Sequence, residues 1–434
     1  MIEGGFEAWP ALDELFPVTI QGVNHNRGIE GTVIDYDKTV LESRLKAYIA
    51  APSFEVASAS FPELAPPGTT DGKPAIAGYE PKDVWKDLQQ IGFDEDRVKP
   101  FLAFPLDQRW IYYETRTKLL NRPRPEYESN LSSNEFLLTV PEPRKETETR
   151  PLFATTLANL HVHERGSVVF PRDVVSNDLL AHRDANIAEP TWRRLRDHFG
   201  LSSDRSSDEA RALVGKLFRI AFAVLHAPTY QAEHKSALGS DWAHLPIPKD
   251  ATLWDNLVRA GEKVVRLLDA NRDARDIIEA VLSPERAKHL AQLRRADGGT
   301  VTAGDLQITV TYWGGGKGRW KPRPFLEDEQ AGAGWDAWGE QTGDLYLNDH
   351  TYLAHVPEAV WLYQLGGYPV LKKWLGYRQA DRRNGSPLSD DERRWLRQMV
   401  QRIAALEAMG PSLDALYQDA ATDSFTAVDL ELRT

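Results

Sequence analysis

The 434-residue sequence predicts an α+β fold with a β-rich central part and a helical C-terminal half. Between Phe101 and Pro171, short aromatic and β-branched runs such as Phe101–Phe104, Trp110–Tyr113, Phe136–Val140 and Ser167–Phe170 suit half-buried strands. From about 190 to 296, apolar residues recur at three- and four-residue spacing, as in Ala212–Leu225 and Leu253–Leu268, the stripe of an amphipathic helix. Leu306, Ile308, Val310 and Tyr312 alternate with polar residues, the period of a strand. A chain this long exceeds a single core, so several packed subdomains are expected.

Taken in order, residues 1–81 read as an N-terminal docking segment followed by a Pro/Gly-rich linker. Trp9 to Pro17 is apolar, Gln21 to Gly28 is a polar turn, and Leu41, Leu45 and Ile49 mark a helix over 38–49. Proline and glycine from Pro62 to Gly68 and at Asp71–Pro74 make 51–81 the best long loop. Residues 82–190 open on a helical stretch to Ile91 and continue as the β-rich part, with a charged loop over 141–150. Residues 191–300 are helical. Residues 301–350 form a β-hairpin: the 306–312 strand, a Gly/Trp/basic loop, and a return strand over 344–347. Residues 351–434 are a C-terminal helical part. Its last helix starts at the capping box Ser389–Glu392, carries Trp395, Met399, Ile403 and Leu406, and stops at Gly410-Pro411.

Composition narrows the chemistry. The absence of cysteine excludes disulfides, thiolate zinc sites, iron–sulfur clusters and a cysteine nucleophile. No apolar run approaches the ~18 residues of a membrane span, and the first residues lack a signal-peptide pattern, so a cytoplasmic chain without membrane contact is expected. With 64 acidic against 52 basic residues the net charge is −12, which disfavours nucleic-acid binding by the whole surface but leaves room for a local basic groove.

Catalytic patterns are missing. His161 and His163 share a strand face but have no third ligand, so a surface pair is the simpler reading than a metal site. Gly314-Gly-Gly-Lys317 follows a strand as a P-loop does, yet Gly318 stands where Ser or Thr should bind magnesium, and Trp320 and Pro322 spoil the helix that should follow. Glu233 and Lys235 imitate a nuclease Glu-x-Lys but sit in a helical stretch without a companion Asp. Neither a hydrolase elbow nor methyltransferase motifs occur. No catalytic residue is assigned, no metal ligand, and no cofactor.

Three basic patches interleaved with aromatics remain. The first holds Arg109, Arg122 and Arg124 with Tyr112 and Tyr113; the second Lys317, Arg319, Lys321 and Arg323 with Trp320; the third Lys372, Lys373 and Arg378. In an acidic protein such clustering suits a groove for a phosphate backbone, where the planar Arg fork pairs with phosphates or guanine edges. An ordinary solvated face is the competing reading for any one patch.

Several stretches together resemble the C-terminal specificity region of type ISP restriction–modification enzymes: Trp9 to Arg27, Phe104-Pro-Leu-Asp107-Gln-Arg109-Trp110-Ile-Tyr112-Tyr113, Phe153 to His161 with Phe170-Pro171, Leu225 to Tyr230 with Leu245–Pro248, and Leu365-Gly-Gly-Tyr368-Pro-Val-Leu-Lys372-Lys373-Trp374-Leu375. They follow the family's order. The chain departs from the family at Gly28 and at Gln231. The resemblance implies a DNA target-recognition module that reads double-stranded DNA beside a methyltransferase domain or subunit. S-adenosylmethionine, ATP and magnesium then belong to catalytic parts not found here. A protein-interaction or assembly module is the alternative, and a metal-dependent nuclease a third.

Overall fold

The computed structural model describes residues 5–25, 32–65, 69–70, 73–74, 79–141, 150–164, 166–175, 182–201, 204, 206–312, 316–330, 335–383 and 385–433. Three four-stranded sheets and a helical layer share one continuous cluster of buried apolar side chains. In the first sheet the strands run in the order Ile34–Asp35, Asp107–Tyr112, Val98–Phe104, Leu157–Ala158, antiparallel except for the last pair. The second orders Ile20–Gln21, Val168–Pro171, Phe136–Thr139 and Leu152–Ala154, all antiparallel. Each takes three strands from the stretch that the sequence marks as β-rich and one, Ile34–Asp35 or Ile20–Gln21, from the N-terminal segment, and most of their residues are buried.

The third sheet is antiparallel, in the order Gln292–Arg295, Thr351–Pro357, Thr342–Tyr346, Trp320–Arg323. Here the structure corrects the expected hairpin. The return strand exists, but its partner is Trp320–Arg323 rather than 306–312. Residues Ala303–Leu306 form a 3₁₀ turn instead, and Ile308 makes only a single bridge, to Gln379. Side chains satisfy this backbone: Asp305 accepts from Thr302 N (2.8 Å), Asn348 donates to the Asp305 and Gln307 carbonyls, and Gln379 accepts from Tyr312 N (2.7 Å). Pro322 is tolerated because its strand lies at the sheet edge. The divisions drawn at 300 and 350 therefore cut through one sheet.

Helices Lys38–Ile49, Pro81–Ile91, Asp208–Leu225 and Ala251–Leu268 occupy the stretches with helical periodicity. Two further expectations change. The segment 51–65 is not loop: Phe54–Ser60 is a helix capped by the Ser53 hydroxyl, and Ala57 and Leu64 are buried. Most of 66–78 lies outside the described residues. The C-terminal helix runs from Asp390 to Thr422 with Pro411 inside it. Proline removes a donor and crowds the preceding turn, but packing beyond it prevails. Asp414 accepts from Thr229 N (2.7 Å), the Tyr417 hydroxyl donates to Glu233 (2.7 Å), and Leu413 and Ala420 are buried. No described helix is long and apolar enough to cross a membrane.

The helical layer is set by one close crossing. A Cβ built at Gly261 would fall 1.8 Å from the Arg219 carbonyl oxygen and 2.8 Å from its Cα, so helices 208–225 and 251–268 touch backbone to backbone. Gly261→Ala must push them apart, and overpacking of that kind costs about 1–3 kcal/mol or more. Urea unfolding of the variant should show a lowered midpoint. An unchanged midpoint would mean that the two helices separate without strain.

Candidate nucleic-acid interface

The outward face of the third sheet gathers cations over aromatic rings. Tyr346 and Tyr352 are register partners with rings stacked at 5.0 Å, and Arg294 lies directly across from Tyr352. The Lys321 ammonium sits 4.2 Å from the Tyr346 ring centroid and the Arg319 guanidinium 4.7 Å. Lys317, exposed, extends the row through a tight turn, in which Gly318 holds a left-handed φ of 68° against the Tyr312 ring. Trp313, Gly314 and Gly315 lie outside the described residues. Arg319 pairs with exposed Asp349 (2.7 Å), a surface ion pair of small strength. Cations held over ring faces and only weakly paired can exchange their counter-charge for a phosphate.

Two members of this patch are committed elsewhere. Arg323 forms a bidentate pair with Glu329 (2.7 and 2.8 Å), a carboxylate that is nearly buried. Trp320 turns to the other side, where its indole donates to the Val356 carbonyl (3.0 Å) and covers Gly343. Arg294, Tyr346 and Tyr352 were not singled out in the sequence. Gln292–Arg295 follows a long helical stretch, and only the cross-strand register with Thr351–Pro357 shows that these residues share a face.

The other two patches divide. Arg109 is 1% exposed and Arg378 3%, and both close on Asp107 (2.6 and 2.9 Å). Tyr36 lies 4.3 Å from the Arg109 guanidinium and 4.1 Å from that of Arg378, while Trp374 covers the other side of Arg378 at 3.7 Å. Glu392, at the start of the C-terminal helix, accepts from Arg378 (3.1 Å) and Arg383 (3.1 Å). Tyr112 stacks on Phe93, and the Tyr113 hydroxyl donates to the Arg124 carbonyl (2.8 Å); both rings are fully buried. Arg109, Tyr112, Tyr113 and Arg378 are thus interior, and the expectation that they touch DNA is corrected. Each had looked available because a charged or phenolic side chain reads as surface until a buried partner is known.

Lys373 lies among Phe104, Tyr368 and Tyr377, 4.4–5.3 Å from their centroids; burial lowers its pKa to about 8, against the opposing pull of Glu164. Lys372 beside it is half-buried. Arg122 is exposed on a backbone bridge to Asn24, and Arg124 caps the helix Pro125–Ser129 from a left-handed conformation while its guanidinium reaches Gln21. These two arginines therefore border the polar turn that begins at Gln21.

The dismissed motifs also have partners. His161 lies in a 3₁₀ turn rather than on a strand, and His163 is buried with Nδ1 2.8 Å from Ser167 Oγ, where burial lowers its pKa to about 4. Among the described residues no cluster of three or more His, Asp or Glu could hold a metal. Glu233 is bound by the Tyr417 hydroxyl.

The buried knot at Asp107 makes a testable pH claim. Burial alone would raise the Asp107 carboxyl, but the Arg109 and Arg378 guanidiniums reverse this and hold it below the usual carboxylate range. A carboxyl depressed on folding contributes stability that is complete above its unfolded pKa of about 3.9 and is lost as pH falls through the folded value. Asp107→Asn should cost roughly 3–5 kcal/mol at neutral pH, because it leaves the buried Arg109 guanidinium without a charge partner and Arg378 with Glu392 alone. Urea midpoints followed downward in pH should fall less steeply below about pH 4 in the variant than in the parent chain. Parallel curves would remove Asp107 from the acid limb.

Comparison with known proteins places this architecture. No curated protein matches the chain. Solved structures that share the fold include a DrdV–DNA complex (17% identity, 92% of this chain and 36% of that chain, TM-score 0.57), the ATP-dependent Type ISP restriction-modification enzyme LlaBIII bound to DNA (12%, 93% and 23%, 0.53), and a nuclease-deletion mutant of the Type ISP restriction-modification enzyme LlaGI in complex with a DNA substrate mimic (13%, 92% and 33%, 0.51). The chain spans about a quarter to a third of those proteins. The family model for the Type ISP C-terminal specificity domain matches residues 14–406, nearly the whole sequence, and the chain belongs to that family.

Proposed function

We propose that this chain is the sequence-recognition module of a restriction–modification system and binds double-stranded DNA. The observation that carries this is the family match over 14–406; the DNA complexes among the similar structures support it. The outward face of the third sheet is the surface best suited to the duplex. Lys317, Arg319, Lys321 and Arg294 grip phosphates there, and the shallow, rigid sheet fixes their spacing. Arg122 and Arg124 beside the polar turn at 21–25 form a second contact, with Lys372 as a further one. The module works beside a methyltransferase domain or subunit in the cytoplasm, and S-adenosylmethionine, ATP and magnesium are used by that partner.

A duplex carries about one negative charge per ~1.7 Å of axis, so several cations on one face are neutralised together. Replacing Lys317, Arg319 and Lys321 by Ala should weaken binding to cognate and unrelated duplexes alike. The salt dependence of log K should become shallower by roughly one unit per lost phosphate contact. Selective loss on the cognate site would assign the loop to base reading. Unchanged affinity and slope would take this face out of the interface.

Because the sequence carries none of the known methyltransferase, nuclease or ATPase patterns, the purified chain should show no methylation, DNA cleavage or ATP hydrolysis. Turnover that co-purifies with the chain through successive columns would refute this.

A further inference from the structure

A second cationic surface lies away from the sheet face, in a groove of about 820 Å³ between the start of the C-terminal helix, the helices Arg275–Leu282 and Pro284–His289, and the edge of the third sheet. Arg393, Arg394 and Arg397 line one wall, Arg275 and Lys288 the other, against only two lining acids, Asp273 and Glu279. Among the described residues no carboxylate comes within ion-pair distance of Arg275, Lys288 or Arg397; Arg397 donates only to the Lys288 and Leu290 carbonyls. Arg393 and Arg394 meet only exposed acids on their own helix. In a chain of net charge −12, this is a concentrated local excess of positive charge.

The groove has two further properties. Its floor is apolar, made by Ile278, Leu293, Leu353 and Leu396. Gln292 and Leu293 line it, and they open Gln292–Arg295, the outermost strand of its sheet, which pairs on one side only among the described residues. Such a strand leaves a row of backbone N–H and C=O groups outside the ladder. The volume falls within the ~300–1,000 Å³ of ligand pockets.

We propose that this groove docks an extended acidic segment of a partner polypeptide, added as a strand along Gln292–Arg295, with apolar side chains toward the leucines and carboxylates toward the arginine and lysine walls. Neither the DNA reading nor the sheet face is needed for this proposal.

The test measures fluorescence anisotropy of a labelled ten-residue peptide of alternating valine and glutamate on the full chain. A valine–lysine counterpart and a version N-methylated at alternate residues serve as comparisons. The acidic peptide should bind and the lysine peptide should not. Arg393→Glu/Arg394→Glu and, separately, Lys288→Glu should each weaken it by about tenfold, since like charges then face each other. N-methylation should weaken it similarly by blocking strand addition. The thermal unfolding and duplex affinity of these variants should match the parent chain, while Lys317→Ala/Arg319→Ala/Lys321→Ala should keep full peptide binding. Peptide binding indifferent to the groove variants, or to N-methylation, would overturn the proposal. So would a ten-nucleotide single strand that binds as tightly as the peptide and is lost in the same variants.

Discussion

The molecule is organised around a carboxylate that has been taken out of water with two arginines. Asp107 lies at the start of its strand in the first sheet, Arg109 two residues further along, and Arg378 follows the helix Val370–Tyr377. Burying such charges is expensive, and only close pairing with further hydrogen bonds makes it tolerable. Glu392 supplies a second carboxylate, which draws in the N-terminus of the long closing helix. Tyr36, Trp374 and Tyr377 enclose the guanidiniums with ring faces. An N-terminal strand, a late helix and the last helix are thereby held in one register. A geometry that lets either arginine slip leaves a charge stranded.

This knot explains what was readable in the sequence and what was not. The runs around Asp107–Tyr113 and Gly366–Leu375 carried the most specific resemblance, and the structure packs them against each other through Asp107–Arg378 and the Phe104–Tyr377 stack. The runs themselves stood out in the sequence, but that they meet, and that they meet in the interior, did not. Residues that pair across 271 positions of sequence leave no local signal of burial. Helices such as 251–268 were legible because one side of each is apolar at regular spacing.

The 306–312 segment misled for the opposite reason. Alternation is necessary for a half-buried strand, but a strand also needs a partner, and Trp320–Arg323 occupies that position. Asn348 and Gln379 then complete the displaced backbone with side-chain amides. Gly410-Pro411 misled because a local stop signal is worth only a few kcal/mol, and the contacts made beyond it by Leu413, Asp414 and Tyr417 exceed that. In both cases long-range packing chose between conformations that local pattern could not rank.

The same distinction governs the cations. Arg402 is buried and donates to the carbonyls of Arg266, Leu267 and Asp269, so its charge caps the C-terminus of the helix Ala251–Leu268. Arg109 and Arg378 are neutralised in the interior, and Arg323 is bound by Glu329. Their positive charge is already matched inside the fold and adds little to the field outside. Lys317, Lys321, Arg294, Arg275 and Lys288 have no such carboxylate among the described residues. A count of basic residues along the sequence treats both groups alike, and the net charge of −12 conceals both. What makes a polyanion-binding surface is the subset of cations that folding leaves unmatched. In this chain two groups of such cations stand out, one on the outward face of the third sheet and one in the groove beside Gln292 and Leu293, while exposed Arg122 lies apart from both.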